Sequence, residues 1–184
     1  AILTLSAMGI NCTDIFGYNI VEPLSNIENI KIQGINSAVY ALMALDAGGY
    51  TTSDSETRTK LIEYILSDQM ENGAWAFSKI WSPNGDVDIT AMAGQSLAPY
   101  VSVNDSVKTA VEKAVNYLSE QQLENGGYTS YGNENCETVA QVIIALTALG
   151  KDPASEEAFV KVNGGLVANM LSFYKDGGGF SHTK

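Results

Sequence analysis

Three glycine-rich blocks, each ending in an aromatic residue, recur along this chain at a nearly constant interval. They are DQMENGAWAF (68–77), EQQLENGGYTSY (120–131) and FYKDGGGFSH (173–182). Their aromatics, Trp75, Tyr128 and Phe180, stand 53 and 52 residues apart. A period near 50 is that of helix-pair arrays or of propellers. A unit of that size cannot bury its apolar face alone and must stack on its neighbours, so the repeat restricts the fold before any single residue does.

The segments between the blocks choose between the two. Four nearly uncharged runs occur: AILTLSAMG (1–9), NSAVYALMALDAGG (36–49), DITAMAGQSLAPY (88–100) and ETVAQVIIALTALG (137–150). Leu5, Ala7 and Gly9 fall on Leu146, Ala148 and Gly150, an offset of 141 residues, or three periods of about 47. These runs are too long and too alanine-rich for propeller strands, so helices win. A second helix type precedes each block. Residues 106–122 carry Val107, Ala110, Val111, Ala114, Val115 and Leu118, the spacing of one buried stripe. Residues 56–69 and 156–174 hold the same place, the latter weakened or bent at Gly164 and Gly165. Pro23 and scattered isoleucines make 21–34 a short or irregular helix. Each unit thus reads as an amphipathic outer helix, a glycine turn with an aromatic, and an apolar inner helix. The expectation is an all-α domain over 1–184, built from about four helix pairs of roughly 50 residues.

Charge removes several functions. The 184 residues carry a net charge of −11, and Arg58 is the only arginine. Nucleic acid and anionic membrane surfaces both require clustered Lys and Arg, which this chain lacks. No apolar run reaches the roughly 18 residues of a membrane span. The chain opens at Ala1-Ile2-Leu3 inside an apolar run, so it reads as a piece of a longer polypeptide, with any localisation signal outside it. Cys12 and Cys136 are too few for a disulfide framework and lack metal-ligand spacing. If inner helices run parallel, the two cysteines lie at opposite rims, about 18 Å apart, too far to bond.

Gln69-x-x-x-Gly73-x-Trp75 resembles the core of the QW repeat of squalene and oxidosqualene cyclases, and Gln122-x-x-x-Gly126-x-Tyr128 is a conservative variant. The following DVDITAMA (86–93) is similar to the cyclase segment that carries catalytic aspartates. Over essentially its whole length the chain looks like the prenyltransferase and squalene-cyclase repeat superfamily. That resemblance implies a partial α/α toroid, closest to toroid domains of Gram-positive secreted or cell-surface proteins, and similar also to transcobalamin-type corrinoid carriers. It implies an extracellular location, and that the rest of a parent chain completes the ring. Physically, the glycines allow a sharp turn, the glutamine bonds free backbone groups at helix ends, and the aromatic seals the joint.

The candidate chemistry follows the first block. The resemblance makes Asp88 a possible general acid, by analogy with the D-x-D-D of protonating cyclases. Asp86 and Asp88 match that pattern, whereas Ile89 replaces its last aspartate. The plain alternative for Asp88 is an N-cap, since it aligns with Asn36 and Glu137 at the starts of inner helices. Prenyltransferases hold zinc with Asp, Cys and His, but Cys136 and His182 do not make a set of three, so no metal and no cofactor are expected. Asn84, Asp86 and Asp88 alternate as in a calcium loop that lacks its glutamate and central glycine. Trp81, Asp86, Asp88, Tyr131, Glu137, Phe180 and His182 all lead into inner helices. Aromatics and carboxylates gathered at one cavity mouth suit a small-molecule, isoprenoid or carbohydrate ligand. The reading is a non-catalytic ligand-binding or adhesion module of a larger extracellular bacterial protein. The alternatives are an isoprenoid cyclase acting through Asp88 and a corrinoid-binding toroid.

Overall fold

A computed structural model describes residues 1–130 and 132–184. The protein is mostly helical, and its described residues form eight α-helices. It divides into two compact units, residues 1–68 and 69–184. The first holds α1 (Ile2–Ala7), α2 (Ile27–Ile32), α3 (Ile35–Ala47) and α4 (Thr57–Ser67). The second holds α5 (Val87–Leu97), α6 (Asp105–Gln121), α7 (Cys136–Ala148) and α8 (Leu166–Leu171). Two short hairpins lie in the second unit: β1 (Thr129–Ser130) with β2 (Asn133–Glu134), and β3 (Val160–Lys161) with β4 (Gly164–Gly165).

The inner runs are helical as expected. In α3, Ile35, Ala38, Val39, Ala41, Leu42, Ala44 and Leu45 are buried, a stripe wide enough to pack on α1, α2 and α4. In the second unit, α5 packs on both α6 and α7. The runs 1–9, 36–49 and 137–150 also end alike. The amides of Ile10, Tyr50 and Lys151 reach back to the carbonyls of Leu5, Leu45 and Leu146 at 2.9, 2.8 and 2.9 Å. Gly9, Gly49 and Gly150 supply the positive φ that this closing motif demands, at 74°, 62° and 73°. The repeat seen in the letters is therefore a repeat of backbone geometry. Only α5 departs, running on into a 3₁₀ turn at Ala98–Tyr100 that contains Pro99.

Of the outer helices, α6 follows its expected stripe fully. Val107, Ala110, Val111, Ala114, Val115 and Leu118 are all buried, and Asn104 caps the first turn. The segment 21–34 is irregular, as its proline requires: a 3₁₀ turn at Glu22–Ser25, then α2. The segment 156–174 corrects the sequence reading. It is no bent helix but a 3₁₀ turn at Glu157–Phe159, the β3–β4 hairpin, and then the six residues of α8. Val160 is extended and Gly164 has φ 143°, so the chain reverses where a helix would have continued. Lys161 holds the hairpin to the end of α6, its Nζ donating to the carbonyl of Ser119 at 3.0 Å.

The glycine blocks show why this replacement is tolerated. Gln69 Nε2 donates to the carbonyl of Gly73 at 2.9 Å and to that of Ala110, in α6, at 2.8 Å. Gln122 Nε2 donates to the carbonyl of Gly126 at 3.0 Å and to that of Phe159 at 3.1 Å. The glutamine needs a carbonyl from the next outer element, whatever that element's shape. The glycine faces the same neighbour. A Cβ on Gly73 would lie 2.6 Å from the carbonyl oxygen of Lys113, and one on Gly126 would run into that of Gly165. Trp75 and Tyr128 are completely buried beside these contacts. Each of the first two blocks is a joint between successive elements, with glutamine as the staple, glycine as the clearance and the aromatic as the plug. These contacts are made by Gln69, Gly73, Trp75, Gln122, Gly126 and Tyr128, the residues expected to be structural. The Gln69 staple differs from expectation in one respect: it bonds a carbonyl along α6, not a free helix end.

Candidate functional site

Every sequence-predicted site residue belongs to the second unit. Asp86 is held first by backbone. Its amide donates to the carbonyl of Trp75 at 2.9 Å, and its Oδ1 accepts from the amide of Ile89 at 3.1 Å. Asp86, not Asp88, is thus the N-cap of α5, and Asn135 is the matching cap of α7. The expectation of an Asp88 cap is corrected by two residues. The extended backbone of Asp86, at φ −135° and ψ 127°, is the geometry a cap requires.

Asp88 is freed for a different arrangement. It lies in the first turn of α5, and its Oδ2 accepts from Ser130 Oγ at 3.2 Å and Thr138 Oγ1 at 3.3 Å. Burial pushes its carboxyl above the ordinary aspartate range, and the charges of Asp86 and Glu137 push it further, while the bonds from Thr138 and Ser130 oppose the rise. The folded state therefore holds this proton longer than the unfolded chain does. Its contribution to stability is fully present below the ordinary value of 3.8 and is lost as pH rises through the raised value. Asp88→Asn is expected to remove that loss. Thermal melts of parent and variant should nearly coincide at about pH 3, below the ordinary aspartate value. At pH 7 the variant should melt higher. A variant that melts lower at pH 7 would show that the ionised carboxylate is favourable where it sits.

Glu137 occupies the same position in α7, second from the helix start, as Asp88 does in α5. Its partner is His182, whose Nδ1 lies 2.8 Å from Glu137 Oε2. That contact, before other causes, holds the Glu137 carboxyl below its usual range. The two contacts are one pattern used twice. Ser130 stands two residues after Tyr128 and meets Asp88; His182 stands two residues after Phe180 and meets Glu137. The tail is fixed by backbone as well, since Cys136 donates its amide to the carbonyl of His182 at 3.1 Å. Beside it the Cys136 thiol is pushed upward by burial, ahead of its neighbour Glu137. Cys12 and Cys136 are both free thiols.

Asp86 also borders a cleft of about 340 Å³. Its walls are the loop 81–87, Tyr117 and Gln121 of α6, and Thr129 and Ser130 of β1. Trp81 stands on the rim with 86 % of its surface exposed. Asn72 shapes the loop from behind, donating to the carbonyl of Asn84 at 2.8 Å. Gly85 is required there, because a Cβ would come within 2.9 Å of the Tyr117 hydroxyl. That phenol is raised to about 12, chiefly by burial and secondarily by Asp86, so it remains a neutral donor and acceptor at ordinary pH.

The predicted cluster is thus partly assembled. Trp81 and Asp86 share the cleft, and Asp88 links through Thr138 to the start of α7, where Glu137 and His182 pair. Phe180 points elsewhere, forming an edge-to-face pair with Tyr174 at 5.7 Å between centroids. Tyr131 lies outside the described residues. Sequence reasoning missed Ser130, Thr138, Tyr117 and Gln121. The first could have been found from its place two residues after Tyr128, matching His182. The others come from helices whose rotation the letters leave open. Among the described residues no three His, Cys, Asp or Glu side chains come together as metal ligands, and no helix is long and apolar enough to cross a membrane. Comparisons with protein-family models, with curated proteins and with solved structures found no match.

Proposed function

We propose that this chain is a partial α/α toroid of the prenyltransferase and squalene-cyclase repeat type, serving as a non-catalytic ligand-binding module of a larger extracellular bacterial protein. Its ligand site is the cleft beside Trp81, and the ligand is polyhydroxylated, of carbohydrate type. The observation that carries this reading is the wall chemistry. Ser82, Asn84, Asp86, Gln121, Thr129 and Ser130 offer donors and acceptors at fixed positions, under an exposed indole. A hydroxyl-rich ligand satisfies such groups, and the apolar face of a sugar ring stacks on an aromatic. An isoprenoid would leave the same groups desolvated and unpaired.

Trp81 and Trp75 are the only tryptophans, and Trp75 is fully buried. Acrylamide should therefore quench mainly Trp81. A glycan that occupies the cleft should protect it, and Trp81→Ala should weaken binding by about tenfold or more, as loss of a central aromatic does. The test is a glycan array followed by fluorescence titration. Absence of binding to any glycan, or binding that Trp81→Ala leaves unchanged, would remove this site.

One observation favours a second reading. Asp88 has a raised carboxyl, as a general acid for isoprenoid cyclisation requires. In that reading Asp88→Asn abolishes turnover of squalene or a polyprenyl substrate while the helical circular dichroism persists. Asp86 cannot share the work freely, because its Oδ1 caps α5.

A further inference from the structure

The cleft beside Trp81 is polar, but its polarity is one-sided. Asp86 is the only charged residue that lines it. The Asp86 Oδ1 is committed to the amide of Ile89, whereas its Oδ2 has no hydrogen-bond partner among the described residues. Tyr117 is only 5 % exposed, and its hydroxyl has no partner among them either. A buried hydroxyl left unpaired costs stability unless water or a ligand meets it. Burial, and after it the charge of Asp86, raise the Tyr117 phenol to about 12, so hydroxyl and carboxylate share one surrounding. Ser130 already donates its hydroxyl proton to Asp88, so it turns only lone pairs to the cleft. Three side chains thus offer acceptors to one space, and one of the three is charged.

The charges nearby do not cancel that of Asp86. Asp88 stands behind Ser130 and brings no positive charge. Lys161 is bound at Ser119, two positions from both Tyr117 and Gln121 and so on another side of α6. Lys184 is paired with Glu134. Lys79 and Lys113, the cations closest in sequence to these walls, do not line the cleft. An ammonium group fits such walls. It carries three donors, no acceptor and a positive charge, and its bond to a carboxylate is charge-assisted. Resting on the carbohydrate reading of this same cleft, we propose that its ligand is an amino sugar with a free ammonium group, the nitrogen held by Asp86 Oδ2 and the Tyr117 hydroxyl and the ring laid on Trp81. N-acetylation would remove the charge, leave one donor and turn a carbonyl toward the same oxygen atoms.

The trisaccharides of glucosamine and of N-acetylglucosamine test this. Each is titrated against the whole chain at mildly acidic pH, which keeps a sugar amine protonated, and binding is read as protection of Trp81 from acrylamide. The glucosamine form should bind about tenfold or more tightly than the acetylated one, as a charge-assisted bond allows. Added salt should narrow that ratio. Asp86→Asn is the decisive variant. Asparagine keeps an oxygen to cap α5 but carries no charge, so the helical circular dichroism should persist while the ratio falls to near one. Tyr117→Phe, which removes only the hydroxyl, should also lower the ratio. Equal affinity for the two sugars overturns the proposal and leaves the glycan site standing. A preference that survives Asp86→Asn overturns it equally, because it would then be the general attraction of a chain of net charge −11 for any cation. If neither trisaccharide binds while another glycan protects Trp81, the amino sugar alone is ruled out; if no glycan binds at all, the carbohydrate reading falls with it.

Discussion

Gly126→Ala is expected to destabilise the second unit by about 2–5 kcal/mol, adding roughly 1–2 kcal/mol for a left-handed residue with a Cβ to roughly 1–3 kcal/mol for overpacking. Gly126 has φ 83°, and the space where a Cβ would stand is filled by the backbone of Gly165. Backbone cannot swing away as a side chain tip can, so the β3–β4 hairpin would have to move and strain the bond from Gln122 to Phe159. Gly178→Ala is the internal control. It has the same sign of φ but an empty surrounding, so only the conformational cost of about 1–2 kcal/mol should appear. Urea denaturation followed by circular dichroism measures both. Equal losses would mean that glycine serves the turn alone and that the close approach of the next element is immaterial.

Trp75→Ala is expected to cost about 3–5 kcal/mol, the range for deleting a large buried aromatic. Trp75 is fully buried, and its backbone is fixed on both sides. Its amide donates to Thr90 Oγ1 at 2.9 Å and its carbonyl accepts from Asp86. The segment is therefore poorly able to collapse into the cavity left behind. Loosening it should also disturb the cap of α5, since Asp86 is placed by that same carbonyl. Trp81→Ala, six residues on, should change stability by no more than about 0.5 kcal/mol, because its side chain is almost wholly in solvent. Chemical denaturation read by circular dichroism separates the two, as fluorescence is lost with the residue. A small effect at Trp75 would deny the aromatic its place as the plug of the joint.

Much of this was legible in the letters. Periodicity placed the apolar runs in helices, because burying a face on one side fixes the spacing of apolar residues. Glycines at equal intervals marked the turns, because few other residues tolerate positive φ. The third outer element was misread for a physical reason. A segment with valines and a glycine pair can serve as a poor helix or as a hairpin, and the choice is made by what the neighbour needs. Gln122 needs a carbonyl and Gly126 needs close backbone, and the hairpin supplies both. The cap was misplaced for a related reason. Asp86 and Asp88 are chemically identical, and only the bond from Asp86 to Trp75 decides which one enters the helix extended.

The sequence by itself determined the repeat, the apolar helical runs, the three glycine turns and the glutamine, glycine and aromatic on one side of the first two joints. These depend on local conformation and on periodic burial, which are written in adjacent letters. The tertiary structure alone decided which aspartate caps α5 and which is drawn toward Ser130 and Thr138. It alone raised the carboxyl of Asp88 and held that of Glu137 low, for burial and distant partners set a carboxyl's proton affinity. It alone made the loop 81–87 one wall of a polar cleft, by bringing Tyr117 and Gln121 against it from α6.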